Sequence, residues 1–179
     1  YFSDPRYGIR SDLEQFDDTG RAIEGVYRID DVNKVARIIT HEVIRPNGLA
    51  ISPDDRHLFV AENVNSGDGP QNRKLWRFDL TPEGSVVPGS RKLLFDWGSD
   101  RGPDGMAIDQ QGHLYVAAGF NFPQSPGESV QKYKAGIYVI SQTGKLVQFV
   151  PVPIDMITNC AFGGADRKTL YITAGHKLW

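Results

Sequence analysis

A motif that recurs every 56 or 57 residues constrains the fold of this chain more than any other feature. Each copy starts with a short polar motif and leads into an apolar run, and Leu58, Leu114 and Leu170 mark a constant interval of 56 residues. The copies are Pro46-Asn47-Gly48-Leu49-Ala50 with Leu58-Phe59-Val60-Ala61, Pro103-Asp104-Gly105-Met106-Ala107 with Leu114-Tyr115-Val116-Ala117, and, more loosely, Thr158-Asn159-Cys160 with Leu170-Tyr171-Ile172. Such self-similarity indicates one structural unit repeated along the chain.

Each unit consists of short runs with alternating apolar and polar residues, separated by turn-forming Gly, Pro, Asp and Asn. This period of two is typical of antiparallel strands, and no window shows a helical period. We therefore predict an all-β fold with four strands in each unit. The predicted strands of the two complete units are 48–52, 57–62, 74–80, 91–97, 106–109, 113–118, 136–141 and 146–151.

Four-stranded units at even spacing are typical of the blades of a β-propeller. A β-sandwich is the structural alternative, but its strands are not expected to repeat one motif at a fixed interval. The chain opens in the second strand of one blade and stops at the start of a third strand, so it holds about three blades. Because propellers close with roughly four to eight blades, we expect residues 1–179 to be a partial propeller domain. The rest would come from the parent chain beyond both ends or from a partner.

Composition excludes several classes of partner. The formal net charge is −2, with 23% charged and 40% hydrophobic residues, so no basic excess is available for a nucleic acid backbone. No apolar run approaches the roughly 20 residues of a transmembrane helix. We expect a soluble protein without nucleic acid or membrane partners, and the compartment stays open between cytoplasmic and periplasmic or secreted. The single cysteine, Cys160, is expected to be a small buried residue.

Three short polar residues occupy equivalent positions at the start of successive innermost strands. They are Asn47, Asp104 and Asn159. Because blades are related by rotation, these positions are expected to form a ring at one mouth of the central channel. Carboxylate and amide oxygens are ligands for a hard divalent cation. The equally weighted alternative is that Asn-Gly and Asp-Gly only form turns.

Four motifs follow one another along the chain: Phe2-Ser3-Asp4-Pro5-Arg6-Tyr7-Gly8, Arg45-Pro46-Asn47-Gly48, Pro103-Asp104-Gly105-Met106 and Thr158-Asn159-Cys160-Ala161-Phe162-Gly163-Gly164. In this order they resemble the motifs of the gluconolactonase and regucalcin (senescence marker protein) family of lactonases. That resemblance implies a six-bladed propeller with one divalent cation in its channel, Ca²⁺ first, with Zn²⁺, Mg²⁺ or Mn²⁺ as alternatives. It assigns Asn47 and Asp104 as metal ligands, and it places a third ligand, a glutamate, before Tyr1.

The function implied by the resemblance is metal-assisted hydrolysis of a small sugar lactone. Asp104 would be both ligand and catalytic proton acceptor, and Asp4 and Tyr7 are expected substrate contacts. Asn159 is expected to be a further substrate contact from its position in the ring alone. A second asparagine of the family pattern also precedes Tyr1, so we expect this chain alone to be an incomplete, inactive enzyme. The long connection at 120–133 is expected either to cap the channel or to be a surface insertion.

Two other functions are compatible with the sequence. A propeller can serve as a non-catalytic interaction module, since the fold does not dictate one function. A calcium-dependent aryl-esterase of related shape would share Asn and Asp ligands but would accept acyclic esters. Metal content and a substrate panel distinguish these alternatives.

Overall fold

The computed structural model describes residues 1–5, 7, 16–21, 23–29, 38–65, 72–124 and 128–179, with residues 38 and 39 described by backbone only. These residues form fourteen β-strands and no helix. The all-β prediction is therefore confirmed for the described part of the chain.

The strands form four antiparallel sheets, and within each sheet the strand order follows the order along the chain. Two sheets have four strands and two have three. The first sheet contains β1 (Phe2–Asp4), β2 (Gly25–Tyr27) and β3 (Ile38–Thr40); the second contains β4 (Pro46–Ile51), β5 (His57–Asn63), β6 (Arg73–Asp79) and β7 (Lys92–Asp96); the third contains β8 (Met106–Ile108), β9 (Leu114–Ala118), β10 (Gly136–Ile140) and β11 (Leu146–Pro151); and the fourth contains β12 (Ile157–Gly163), β13 (Thr169–Ala174) and β14 (Lys177–Leu178).

The predicted strands of the two complete units agree with the structure to within two residues. The prediction for 146–151 matches β11 (Leu146–Pro151) at both ends, and the prediction for 57–62 falls one residue short of β5. The largest difference is at 48–52, because β4 begins at Pro46 and includes the Asn47-Gly48 pair. Short apolar-rich runs separated by turn-forming residues were thus a sufficient signal for these strands.

Successive sheets pack face to face, and an apolar core lies between each pair. The core between the first and second sheets includes Val26 and Phe78. The core between the second and third includes Trp97 and Tyr138, and the core between the third and fourth includes Cys160. This stacking of meanders is the relation expected between neighbouring propeller blades.

Aromatic rings dominate the middle core. The Trp97 indole and the Tyr138 ring meet edge to face with centroids 5.7 Å apart, and Phe95 lies 4.6 Å from Trp97. Such pairs contribute about 0.5–1.5 kcal/mol each beyond the area they bury. The buried Tyr138 hydroxyl donates a hydrogen bond to the Lys134 carbonyl at 2.6 Å, which satisfies its polar atom. This core fixes the second sheet against the third.

The antiparallel pairing brings particular strand ends together at one side of the sheets. Pro46 at the start of β4 pairs with Glu62 near the end of β5, and Ala118 at the end of β9 pairs with Gly136 at the start of β10. We call this side the mouth. The beginnings of the inner strands β4 and β8 and the loop between β9 and β10 therefore lie at the mouth.

Candidate active site at the mouth

The motif residues of β4 and β8 lie side by side because the two inner strands are in direct backbone contact. The amide of Gly48 donates a hydrogen bond to the Asp104 carbonyl at 3.0 Å, and the amide of Gly105 donates one to the Thr158 carbonyl at 2.8 Å. These two bonds join the second, third and fourth sheets at equivalent positions. The expected succession of Asn47, Asp104 and Asn159 positions along neighbouring inner strands is what the backbone shows.

The glycines that follow Asn47 and Asp104 are required by this close approach. A Cβ atom at Gly48 would lie 2.3 Å from the Asp104 carbonyl oxygen, and one at Gly105 would lie 2.2 Å from Asn159 Oδ1. The alternative that these pairs are turn formers is wrong for Asn47-Gly48, which lies within β4. Nor does Asp104-Gly105 form a turn, since it leads directly into β8.

Hydrogen bonds hold every residue of the segment from Arg101 to Gly105. Acceptors and donors come from the second, third and fourth sheets and their connections. The bonds are Gly119 N to Arg101 O at 3.0 Å, Gly102 N to Asn65 Oδ1 at 2.9 Å, Asn63 Nδ2 to Pro103 O at 2.7 Å, Asp104 N to Ala117 O at 2.8 Å and Gly105 N to Thr158 O at 2.8 Å. Because each residue of this segment takes part in a hydrogen bond, its side chains are held in defined positions before any ligand binds.

A hydrogen-bonded series of side chains runs from Tyr7 through Asn47 to Asp104. The Asn47 amide donates to the Tyr7 hydroxyl oxygen at 2.9 Å, and it also donates to the Asp104 carboxylate. Both donations use Nδ2, and no hydrogen bond within the described residues uses Asn47 Oδ1, which can serve as an acceptor or a cation ligand. The structure thus brings together three of the five residues predicted for the site.

Partial burial shifts the pKa values of Asp104 and Tyr7 in this series. Removal from water raises the pKa of the Asp104 carboxyl, while the positive charge of Arg101 and the hydrogen bond from Asn47 lower it, with a net upward result. Removal from water and the negative charge of Asp104 likewise raise the pKa of the Tyr7 hydroxyl. A carboxylate with a raised pKa is poorly compensated by its surroundings, which favours binding of a cation beside it.

The two other predicted site residues have different surroundings. Asn159 is exposed, and its Oδ1 accepts a hydrogen bond from the Cys160 amide at 2.8 Å. It is next to Gly105 but is not in the Tyr7–Asn47–Asp104 series. Asp4 ends β1 opposite Gly25, and within the described residues no hydrogen bond joins it to the series.

Sequence reasoning overlooked Arg101. Its guanidinium pairs with Glu128, with Nη1 3.1 Å from Oε1, and it lies over the Phe120 ring with its Cζ 4.9 Å from the centroid. On the other side of the series, the Arg45 guanidinium lies 5.6 Å from the centre of the Tyr7 ring. The sequence feature that could have identified it is an arginine shortly before each Pro-Asn-Gly or Pro-Asp-Gly motif. Arg45 lies two residues before Asn47, and Arg101 lies three residues before Asp104.

Two acidic residues attach the loop between β9 and β10, residues 119–135, to the mouth. Asp155 accepts hydrogen bonds from the amides of Asn121 and Phe122 at 2.8 and 3.0 Å. Asp100 accepts from the Ser129 hydroxyl and from the amides of residues 131–133. The described parts of the 120–133 connection are therefore anchored at both ends beside the site; residues 125–127 lie outside the described residues.

The donor set at the mouth fits a hard divalent cation in part. Asn47 Oδ1 and the Asp104 carboxylate supply oxygen ligands of the type that Ca²⁺ and Mg²⁺ prefer. Among the described residues there is no group of three His, Cys, Asp or Glu side chains that could hold a metal. Two adjacent oxygen donors are thus the contribution of these residues to such a site.

Comparison with known proteins identifies the family of this chain. Residues 7–176 match the family model described as the SMP-30/Gluconolactonase/LRE-like region. The chain belongs to this family. It is 34% identical over 186 residues to a gluconolactonase of Zymomonas mobilis, an alignment that covers 99% of this chain and 45% of that protein.

Further members of the SMP-30/gluconolactonase family give the same result. A 6-deoxy-6-sulfogluconolactonase of Pseudomonas putida is 34% identical over 149 residues, covering 82% of this chain and 44% of its own length. The solved gluconolactonase of Xanthomonas campestris superposes with a TM-score of 0.66 at 25% identity, covering 89% of this chain and 44% of that one. The chain therefore spans about half the length of the relatives it matches.

In the described residues no helix has the length and hydropathy that a membrane crossing requires.

Proposed function

We propose that this chain forms part of a hydrolase that opens a sugar lactone with the help of one divalent cation in a propeller channel. In this proposal residues 1–179 are one part of a six-bladed ring, and Ca²⁺ is the first choice of ion, with Zn²⁺, Mg²⁺ and Mn²⁺ as alternatives. The support comes from family membership and from the lactonases among the relatives.

The observation that carries the proposal is the adjacency of Asn47 and Asp104. The Gly48 to Asp104 backbone bond at 3.0 Å sets their side chains next to each other, and Asn47 donates to both neighbours through Nδ2. Its amide oxygen and the carboxylate would then bind the cation. When bound, a divalent cation supplies a Lewis acid that polarises an ester carbonyl and lowers the pKa of water.

Asp104 is the proposed proton acceptor. Removal from water raises the pKa of its carboxyl, which makes the carboxylate a stronger base than an exposed aspartate, while the nearby charge of Arg101 favours the ionised form. A base works best when its pKa approaches the working pH. Asp104 would take a proton from the attacking water and return it to the ring oxygen as the acyl C–O bond breaks, which leaves an alcohol and a carboxylic acid that ionises at neutral pH.

The remaining predicted residues would bind the sugar. The Tyr7 hydroxyl already accepts a hydrogen bond from Asn47, and its own proton is free to be donated to a substrate oxygen. Exposed Asn159 and Asp4 would contact substrate hydroxyl groups from neighbouring strands. These roles follow from position and donor chemistry.

The proposal is tested on the complete gene product with one variant of Asp104 and one variant of its neighbour Asn47. Asp104→Asn and Asn47→Ala should both lose bound divalent metal, measured by plasma emission. Each should also lower kcat/KM for glucono-1,5-lactone by about 10²- to 10⁴-fold, the usual contribution of a proton acceptor. Asp109→Asn is the matched control, because Asp109 follows β8 at the end away from the mouth and caps the turn to His113.

Each outcome has a defined meaning. Unchanged turnover and metal content in Asp104→Asn would remove Asp104 from the mechanism. Hydrolysis of phenyl acetate without hydrolysis of lactones would identify an aryl-esterase instead. A metal-free protein that hydrolyses neither would favour a non-catalytic interaction module.

A further inference from the structure

Arg101 is a largely buried cation at the mouth whose hydrogen-bond donors the proposed chemistry does not use. It lies three residues before Asp104 on the fully hydrogen-bonded segment, and its carbonyl accepts from the Gly119 amide at 3.0 Å. Only 19% of its side chain is exposed. A cation so placed costs desolvation energy, so its presence needs a structural or a functional explanation.

Glu128 explains how the charge is tolerated. Its side chain has no exposed surface and lies 3.1 Å from Arg101 Nη1. Its other oxygen, Oε2, accepts from the Gln124 amide at 3.1 Å. The carboxylate therefore joins the loop between β9 and β10 to the guanidinium, and it holds the guanidinium from one side.

Phe120 fixes the plane of the guanidinium. The Arg101 Cζ lies 4.9 Å from the ring centroid, and Phe120 is itself 1% exposed. A guanidinium stacked on an aromatic face and bonded at one corner has little rotational freedom, so little entropy is lost when it binds a further group.

Part of the donor capacity of Arg101 remains unused. A guanidinium carries five N–H donors, and across the described ranges only Nη1 donates to a protein acceptor. The side chain as a whole keeps 19% of its surface exposed to solvent. Its charge also reaches the reacting end of the site, since it acts to lower the pKa of both Asp104 and Tyr7.

We propose that Arg101 is a specificity-determining residue that binds an oxyanion carried by the substrate, so that this protein prefers sugar lactones with an anionic substituent over neutral ones. The inference deepens the proposed function and rests on it. A planar fork of N–H donors, held at one corner and stacked on one face, matches the oxygen geometry of a carboxylate, a sulfonate or a phosphate.

Two lactones that differ only at the far carbon provide the test. In D-glucono-1,4-lactone this carbon carries a hydroxyl group, and in D-glucaro-1,4-lactone it is a carboxylate; 6-deoxy-6-sulfogluconolactone tests a sulfonate at the same position. We expect the complete gene product to prefer the anionic lactones. Arg101→Met, which keeps the stem over Phe120 but removes the charge, should reduce that preference by about 10- to 100-fold, the effect of one charge-assisted hydrogen bond.

Further variants separate charge from donor geometry. Arg101→Lys keeps the charge but loses the fork, so it should restore part of the preference. Lys168→Met removes one exposed positive charge from the turn between β12 and β13, away from the mouth, and should change nothing. Calorimetry of D-glucarate and D-gluconate binding reports on the same contact without turnover. The amount by which D-glucarate binds more tightly than D-gluconate is called the glucarate excess, and Arg101→Met should reduce only this excess.

The failure of this inference differs from the failure of the proposed function. If Arg101→Met lowers kcat/KM equally for neutral and anionic lactones and leaves the glucarate excess unchanged, Arg101 does not recognise an anion, and the inference is overturned although the lactonase stands. A wild-type protein without any preference also overturns it. Loss of all lactone hydrolysis in the wild type would overturn the proposed function itself.

Discussion

Substitution of Gly48 by alanine tests whether the close approach of β4 to β8 positions Asp104. The added Cβ would lie 2.3 Å from the Asp104 carbonyl oxygen and 2.8 Å from the Gly105 Cα. Both are backbone atoms, so no side-chain rotation relieves the overlap. The same carbonyl accepts the Gly48 amide at 3.0 Å, and this hydrogen bond would be strained as the strands separate.

The size of the effect follows from the displacement required. Ordinary van der Waals contact begins at 3.4 Å, so the strands must separate locally by about 1 Å, and overpacking of this kind costs about 1–3 kcal/mol. Because Asp104 moves with its carbonyl, we also expect kcat/KM for the lactone to fall by about 10²-fold, as a misplacement of roughly 1 Å does in other enzymes.

Urea unfolding followed by tryptophan fluorescence measures the first effect, and lactone hydrolysis by the complete gene product measures the second. Gly89→Ala is the control. Gly89 has φ of 73°, and no atom lies within 4 Å of the position that an added Cβ would take, so the substitution should cost ~1 kcal/mol through backbone strain without changing turnover. Wild-type stability and wild-type turnover in Gly48→Ala would refute the argument that strand proximity positions Asp104.

Two further predictions concern the mouth and the core. Burial acts to raise the pKa of Asp100, but bonds from Ser129 and three backbone amides lower it overall; Asp100→Asn should therefore lower the free energy of unfolding by about 1.5–3 kcal/mol at neutral pH. This loss should shrink below about pH 4, as the wild-type carboxylate is protonated, and a pH-independent difference in urea unfolding would contradict it. Burial raises the pKa of the Cys160 thiol to about 11, so a disulfide reagent at about pH 8 should modify it only after unfolding; rapid modification of the folded protein would show that the thiol is accessible.

The strands were predictable because their signal is local. The short apolar-rich run at 146–151 is enough to define β11, and the interval between Leu58 and Leu114 relates two complete sheets. The burial of Cys160 at 5% exposure also agrees with prediction. Each of these properties depends on neighbouring residues or on the repeat, which a single sequence contains.

The sequence predicted which site residues lie close together only where the repeat relates their positions. Asn47 and Asp104 occupy equivalent positions, so rotation of one blade onto the next implies their proximity. The hydrogen bond between Asn47 and Tyr7 could not be inferred this way, because no repeat relation connects the two residues. The position of the 119–135 loop likewise depends on Asp155, which lies in the connection to the next sheet.

The all-β repeat, the order of the strands and the equivalence of the motif residues follow from the sequence, because apolar runs and turn residues act over a few positions. The charges that surround Asp104 depend on tertiary packing. Arg101 is held by Glu128 and Phe120, which lie far along the chain and contact it through the loop between β9 and β10. Electrostatics and stacking depend on distance in space, and that distance is set when the sheets pack.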